Sequence, residues 1–414
     1  MDGKKGLFII CDGMADRPSQ SHQGKTPLEA ANTPVIDMLA AKGLVGFMDI
    51  VAPGIPPGSD VAHLSLFGYD PYQYYTGRGG FEAAGAGFNL KPSDVAFRCN
   101  FSTVDDNLIV QDRRAGRISA EATLLLDAIN KIKIGVLGVT FDFIHTVEHR
   151  GVLILHGKKL SRAVSDVDPH KIGVKILDAE PLNKTAASKI TAEALNRFTL
   201  KTHKALKGHP VNLQRRQRGQ LPANIILSRG PGTLPDITPL PIRFKIKVSA
   251  IAAVALVRGI CSVVGMNLID VKGATGGVNT DLNAKAYAAV NALRTNDLVI
   301  LHVKATDVAG HDGNFELKKT IIERIDSMIK TIYDNIDREK IYISLTADHT
   351  TPLSVGDHTG DPVPFLLTGP EALPSGITKF CEKTARRGNA AVIRGPDLLH
   401  LMMNYMGKVE KLGF

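Results

Sequence analysis

Leu345-Thr-Ala-Asp348-His349-Thr-Thr-Pro-Leu-Ser-Val-Gly-Asp-His358 is the stretch on which the reading of this chain turns. The residues leading into it, Ile341, Tyr342, Ile343 and Leu345, make an apolar run that predicts a buried strand. The run ends on Asp348-His349, and a loop containing Pro352 and Gly356 carries the chain to His358. A carboxylate and an imidazole at a strand end, with a further imidazole nine residues on, form a set of metal-ligand donors. Alone, the same residues fit a capped strand end with ordinary surface histidines equally well. A second cluster upstream, Asp307-Val-Ala-Gly-His311, shifts the balance because it too follows an apolar strand, Leu298 to Val303. Two strand ends that each offer Asp and His predict a site for two metal ions.

Further out, Gly6-Leu-Phe-Ile-Ile-Cys11 is apolar without alternation, as expected of a strand buried on both faces of a parallel sheet. It delivers Asp12 to its C-terminal end, where open α/β sheets bind their ligands. An Asp there is commonly a turn former, so Asp12 gains weight only from the two later strand ends. Thr33-Pro34 through Gly43 reads as a short capped helix. The Pro/Gly loop 53–58 brings Ser59 to the start of a helix expected from Asp60 to Phe67. In an isolated Gly-Ser-Asp the serine reads as an N-cap. Beside two metals, with free backbone N–H groups around it, it reads as an activated nucleophile. The glycines crowding 77–87 suggest a hinge or a flexible entry to the site.

From about Asp94 the character changes. Arg98, Asp112-Arg113-Arg114, Arg117, His149-Arg150 and Arg229 place guanidinium groups in or beside short strands and loops. Each is individually an ordinary surface residue; as a group they suit a phosphate or carboxylate, which arginine holds with paired hydrogen bonds. Helices are expected over Ser119–Asn130 and about Lys184–Lys207, and strands near Val136–Phe143, Gly151–Leu155 and Asn224–Leu227. Arg215-Arg216-Gln217-Arg218 reads as a solvated loop. The first unit resumes with a helix over Val248–Val264, a strand at Asn267–Val271, a glycine loop that lacks the Gly-Lys-Ser/Thr ending of a phosphate-binding P-loop, a helix Asp281–Leu293 and the amphipathic helix Phe315–Ile336. The expected fold class is α/β: a mostly parallel core formed by residues 1–90 and 233–414, with a smaller α/β domain, residues 91–232, inserted.

The 414 residues suffice for two domains, and 44% are hydrophobic against 22% charged. A net charge of +9 and a pI near 9.2 admit anionic partners. The basic residues are dispersed, and the densest run, Arg215-Arg216-Gln217-Arg218, is short and has no aromatic neighbours, which favours a small anionic substrate over nucleic acid. Cys11, Cys99, Cys261 and Cys381 are far apart and form no pairing pattern, so a reducing compartment is favoured. The apolar run Leu7–Cys11 is too short for a signal peptide, and Ala250–Val264 is broken by Arg258 and too short to span a membrane. The expectation is a cytoplasmic protein with no membrane or nucleic-acid partner; a homo-oligomer stays open.

Asp12-Gly-Met-Ala-Asp16, Gly58-Ser-Asp60, Thr306-Asp-Val-Ala-Gly-His-Asp-Gly313, Ala347-Asp-His-Thr-Thr-Pro352 and Asp357-His-Thr-Gly-Asp-Pro-Val-Pro364, taken in order, resemble the archaeal-type cofactor-independent phosphoglycerate mutases of the alkaline phosphatase superfamily. The likeness spans nearly the whole chain, including Gly273–Gly277 and Arg394-Gly395. It implies an alkaline-phosphatase-like three-layer core with two divalent ions (Mn, Co, Mg or Zn) and an inserted phosphotransferase domain. The implied reaction interconverts 3-phosphoglycerate and 2-phosphoglycerate in glycolysis and gluconeogenesis. By position, Ser59 would be the phosphorylated nucleophile, Asp12, Asp348 and His349 would hold the ion that activates it, and Asp307, His311 and His358 the second. Arg98, Arg113, Arg117, Arg150 and Arg229 would hold the glycerate while it turns, and Asp112 would be the base for the accepting hydroxyl. Val308 departs from the pattern, where an acidic residue is expected between the ligands. The alternative with the same ions and serine is a metal-dependent phosphatase, or a phosphotransferase acting on another small phosphorylated metabolite.

Overall fold

The computed structural model describes residues 3–413. They divide into two compact units: one runs to Tyr75 and resumes at Ile237, and the other is Thr76–Asp236.

The first unit is built on an eight-stranded sheet, in the order Ile393–Arg394, Leu44–Asp49, Val363–Thr368, Ile341–Thr346, Lys5–Cys11, Leu298–Val303, Val248–Ile251, Asn267–Leu268. Its centre is parallel, and Val363–Thr368 runs antiparallel to both its neighbours. Every residue of Leu298–Val303 and Ile341–Thr346 is buried, as is all of Lys5–Cys11 after its first residue. Both sheet faces are therefore covered, which is why these strands read as unbroken apolar runs. Each buried Leu or Ile contributes roughly 1.5–3 kcal/mol of transfer free energy. The helices pack in two groups. Pro34–Ala41 and Leu282–Thr295 both touch Phe315–Asp334, and Ala255–Val263 and Gly395–Tyr405 both touch Ser59–Leu66. Asp281 and Asn314 cap two of them, accepting from Ala284 N–H at 2.8 Å and Leu317 N–H at 3.0 Å.

The register positions the chemistry. Cys11 pairs with Val303, and Ile10 with Thr346, so three neighbouring parallel strands end side by side. Asp12, the segment Lys304–Asp307 and Asp348 leave the sheet at one edge.

The second unit carries an antiparallel sheet in which Val95–Val104 pairs with Val110–Asp112, Arg150–His156 and Ile225–Gly232, and Arg150–His156 pairs with Thr140–His145. Phe97, Phe101, Leu153, Ile226 and Phe198, the last from the helix Ala186–Lys207, anchor a core of its own.

Several local expectations change. The glycine-rich stretch 77–87 is a helix, Arg78–Gly85, rather than a hinge, and it packs on the strand Val95–Val104. A Cβ on Gly79 would stand 1.9 Å from the Ala96 carbonyl oxygen, so glycine there serves close approach and not flexibility. The division falls at 75/76, where 90/91 was expected, and at 236/237, where 232/233 was expected. The basic run is helical through Gln217 rather than a loop, and although Arg216, Gln217 and Arg218 are exposed, Arg215 is buried and donates to Leu221 O at 2.9 Å, Ala115 O at 3.0 Å and Glu121. The expected helix over Val248–Val264 begins as the sheet strand Val248–Ile251 and becomes helical only at Ala255. Ser119–Asn130 forms a 3₁₀ turn and a single α-turn. No helix of the described residues is long and apolar enough to cross a membrane, and all four cysteines are buried and unpaired.

Candidate metal centre

Asp12 is fully buried at the end of its strand. Its Oδ2 accepts from His302 Nε2 at 2.9 Å and its Oδ1 from Lys304 Nζ at 2.9 Å. Asp348 Oδ1 accepts from the backbone N–H of Gly13 at 3.0 Å, while its Oδ2 has no hydrogen-bond partner. His349 Nε2 is likewise buried without one, although it lies 3.3 Å from both Asp12 Oδ1 and Asp348 Oδ2.

Asp307 and His311 do not lie in a strand-end loop. They sit one turn apart on the helix Ala305–His311, which follows the strand directly, so i,i+4 spacing turns both side chains to one face. Asp307 Oδ1 is 3.4 Å from His311 Nε2, 3.5 Å from His358 Nε2 and 4.0 Å from His349 Nε2. His311 Nδ1 donates to Gly356 O at 2.7 Å, and His358 Nδ1 to Pro57 O at 2.9 Å. Each Nδ1 is thereby committed to an acceptor, which leaves each Nε2 directed at the carboxylates, the usual disposition of metal-binding histidines.

Donor atoms within 4.8 Å of one another come from Asp12, Asp348 and His349; from Asp307, His349 and His358; and from His311, Asp357 and His358. A buried carboxylate oxygen and a buried imidazole nitrogen left unpaired between acidic groups fit divalent cations well. Lys304 bridges the two carboxylates, at 2.9 Å from Asp12 and 2.7 Å from Asp307 Oδ2. Burial opposes ionisation of Asp12, yet Lys304 together with His302 and His349 holds it well below the usual carboxylate range. Burial likewise opposes Asp307, but His358 and Lys304 outweigh it and keep that group ionised as well.

Ser59 opens the helix Ser59–Leu66, one residue before the expected start. Gly58 occupies the cap position and no side-chain cap bond forms, so the serine hydroxyl is not consumed in capping. Two bonds tether its segment to the cluster. His358 holds Pro57 O, and Ser59 O accepts from His63 Nδ1 at 2.7 Å, itself 3.5 Å from Asp348 Oδ2.

Asp357, His63, His302, Lys304 and Thr351 belong to this neighbourhood and were not singled out as site residues from the sequence. His302 was detectable as the one titratable side chain inside the apolar strand Leu298–Val303, and Lys304 by its place three residues before Asp307. Asp12, His63 and His302 form a further buried group. Burial pushes His302 down to about 4 despite Asp12, so its ring is neutral and orients the carboxylate.

In the second unit, Arg98 and Arg229 are mostly buried, and the Nε of each lacks a hydrogen-bond partner, although Arg98 Nε lies 3.7 Å from Glu82 Oε1 and Arg229 Nη1 3.9 Å from Asp168 Oδ2. Burial lowers Arg98 from its ordinary value, as do the nearby guanidiniums of Arg78, Arg229 and Arg150, against the opposing effect of Glu82. Arg113 differs: its Nε and Nη2 are both spent on buried Asp168, at 3.0 and 2.6 Å. Asp112 Oδ1 accepts from the N–H groups of Arg114 at 2.7 Å and Gly116 at 3.1 Å, holding a turn. Arg117 lies exposed on that turn. Arg78 joins the group through its effect on Arg98 and was absent from the sequence reading.

Comparison with known proteins gives one consistent result. A family model described as 2,3-bisphosphoglycerate-independent phosphoglycerate mutase matches residues 40–212. A protein of Methanothermobacter thermautotrophicus named 2,3-bisphosphoglycerate-independent phosphoglycerate mutase 1 is 45% identical over 411 residues, covering 99% of this chain and 100% of the relative. The Ignicoccus hospitalis protein named as such a mutase is 46% identical over 413 residues, covering 99% of both. The solved cofactor-independent phosphoglycerate mutase of Thermoplasma acidophilum superposes with a TM-score of 0.73 at 32% identity, over 98% of this chain and all of that one.

Proposed function

We propose a function for a chain that belongs to the 2,3-bisphosphoglycerate-independent phosphoglycerate mutase family: it interconverts 3-phosphoglycerate and 2-phosphoglycerate, a step of glycolysis and gluconeogenesis, in the cytoplasm. The observation that carries the reading is the convergence of Asp12, Asp307, Asp348, His349 and His358 on unpaired donor atoms, in a chain matched over its whole length by named mutases.

We assign Asp12, Asp348 and His349, with the Ser59 hydroxyl, to one divalent ion, and Asp307, His311 and His358 to a second. Mn, Co, Mg and Zn all suit this mixed oxygen and nitrogen set. Bound there, such ions supply a lowered pKa for a coordinated hydroxyl and positive charge opposite a phosphoryl group. The chain does the rest. Ser59 Oγ takes the phosphoryl group from one glycerate hydroxyl, giving a phosphoserine, and the freed glycerate oxygen takes up a proton. The other hydroxyl, on losing its own proton, receives the group back. Lys304 keeps a positive charge between Asp12 and Asp307, and the helix that Ser59 opens adds its N-terminal field.

Arg98, Arg229 and Arg150 are assigned to the glycerate carboxylate and the phosphate. Two mostly buried guanidiniums in mutual repulsion, each with an Nε lacking a hydrogen bond, are the groups an anion relieves. Arg113 is better read as a structural partner of Asp168, and Asp112 as a turn-former whose second oxygen remains for proton transfer.

The test is a coupled assay with 3-phosphoglycerate, metal-stripped protein and added Mn, Co or Mg, without bisphosphoglycerate and with released phosphate followed in parallel. Formation of 2-phosphoglycerate without phosphate is the expected result; phosphate alone would make the protein a phosphatase.

A further inference from the structure

Thr351 stands between the two donor sets. Its hydroxyl lies 2.9 Å from His349 Nδ1 and donates to Asp307 Oδ1 at 3.0 Å. Counting hydrogens gives the direction of both bonds. When an ion takes His349 Nε2, which lies 3.3 Å from both Asp12 Oδ1 and Asp348 Oδ2, the remaining ring proton sits on Nδ1 and is donated to Thr351 Oγ1. The hydroxyl then has one hydrogen left, and the ionised Asp307 takes it. The path His349 Nδ1–H, Thr351 Oγ1–H, Asp307 Oδ1 therefore has a single polarity. It is also shut off from water: His349 and Thr351 are 0% exposed and Asp307 2%. Bonds so placed are strengthened by the low dielectric around them.

The surroundings of Thr351 are cleared and pinned independently of that path. A Cβ on Gly13 would stand 2.6 Å from Thr351 Oγ1, and one on Gly310 would stand 2.9 Å from Thr351 Cγ2. One glycine lies in the loop that carries Asp12, and the other in the helix that carries Asp307 and His311. The Thr351 main chain is held on both sides, its N–H on Ala15 O at 3.2 Å and its carbonyl by buried Lys318 at 2.9 Å. The hydroxyl is thus presented by a fixed backbone in a space that a methyl on either neighbour would close.

We propose that Thr351 is a positioning residue that couples the two ion sites. Filling the Asp12–Asp348–His349 set draws electron density from the imidazole and sharpens Nδ1–H as a donor. The hydroxyl proton is thereby committed to Asp307, holding that carboxylate in one orientation for the second set. The effect is reciprocal, as any coupling between two binding sites must be. The inference rests on the two-ion reading above.

The test is titration of the metal-stripped full-length chain with Mn²⁺, counting bound ions and fitting both affinities, for wild type, Thr351→Val and Thr351→Ser. The visible absorption of bound Co²⁺ serves as a second readout. Wild type should bind two ions, with the first raising affinity for the second. Thr351→Val should weaken the second ion by about 10- to 100-fold, the usual effect of losing a group that orients a metal ligand, and the coupling should vanish. Thr351→Ser, which keeps the hydroxyl, should restore both. Thr351→Ala deletes the same hydroxyl with less bulk and is read in the same way where the valine variant does not fold. Wild-type affinities and coupling in the hydroxyl-free variants would overturn the role of Thr351 and leave the two-ion reading intact. Fewer than two ions in wild type would sink the two-ion reading itself.

Discussion

The imidazole of His358 stacks on that of His349, with ring centroids 3.5 Å apart and planes 20° from parallel. The stack brings two nitrogens from opposite ends of a ten-residue loop to the same carboxylate, Asp307. It also ties the loop to the Ser59 segment, because His358 Nδ1 holds Pro57 O.

His358→Ala should therefore lower bound metal toward one ion per chain and loosen the segment before Ser59. Ion counting on the purified variant checks this. Full stoichiometry would remove His358 from the site.

Ser59→Ala should abolish turnover while ion binding largely persists, since Asp12, Asp348 and His349 keep their places without the hydroxyl. Retained mutase activity would exclude a phosphoserine intermediate.

Arg98→Ala and Arg229→Ala should each raise KM for 3-phosphoglycerate by about tenfold or more, because a hydrogen bond to a charged group contributes roughly 1.5–3 kcal/mol. Thermal stability should hold or rise, as each change removes one of several adjacent like charges. Initial-rate kinetics and melting curves separate the two effects. An unchanged KM would make these arginines structural.

Lys318→Met tests the support beneath the site. Its buried ammonium binds Asp16 Oδ2 at 2.7 Å and the carbonyls of Ala15 and Thr351. Removing one partner of a buried pair leaves an uncompensated charge and costs about 3–5 kcal/mol. Denaturant unfolding should show that loss, and a shift within experimental error would contradict it.

Burial, reinforced by the charges of Arg150 and Arg114, pushes His149 down to about 4. The unfolded chain protonates that ring near its ordinary value of 6.5, so between pH 6.5 and 4 the unfolded state binds more protons. Stability contributed by this group is complete above pH 6.5 and declines as pH falls toward 4, by an amount on the order of 2 kcal/mol. His149→Asn should flatten that part of the stability profile, measured by unfolding across the range.

The central strands were legible because burial on both faces writes an apolar run with no competing pattern; Leu298–Val303 was read to the residue. Cluster residues that end such strands were legible for the same reason. Where two signals overlapped, the reading slipped. Val248–Val264 is apolar but for Ser249, Arg258 and Ser262, and no Pro, Gly or polar cap between Ile251 and Ala255 marks the switch from strand to helix. Arg215 looked solvated because its partners, Glu121, Ala115 and Leu221, come from other parts of the fold. Thr351 was invisible as a site residue, since a hydroxyl between His349 and Asp307 is a property of three-dimensional packing and not of spacing.

The interrupted course of the first unit has a consequence for biosynthesis. The strand Lys5–Cys11 leaves the ribosome roughly 290 residues ahead of its partner Leu298–Val303. At about 5–20 residues per second, that is a delay on the order of 15–60 s. During this interval Thr76–Asp236 is complete and has its own core to close, while one of the most apolar strands of the chain waits with both edges bare. The yield of a nascent chain of this design should depend on how quickly the segment carrying Leu298–Val303 is translated after Lys5–Cys11.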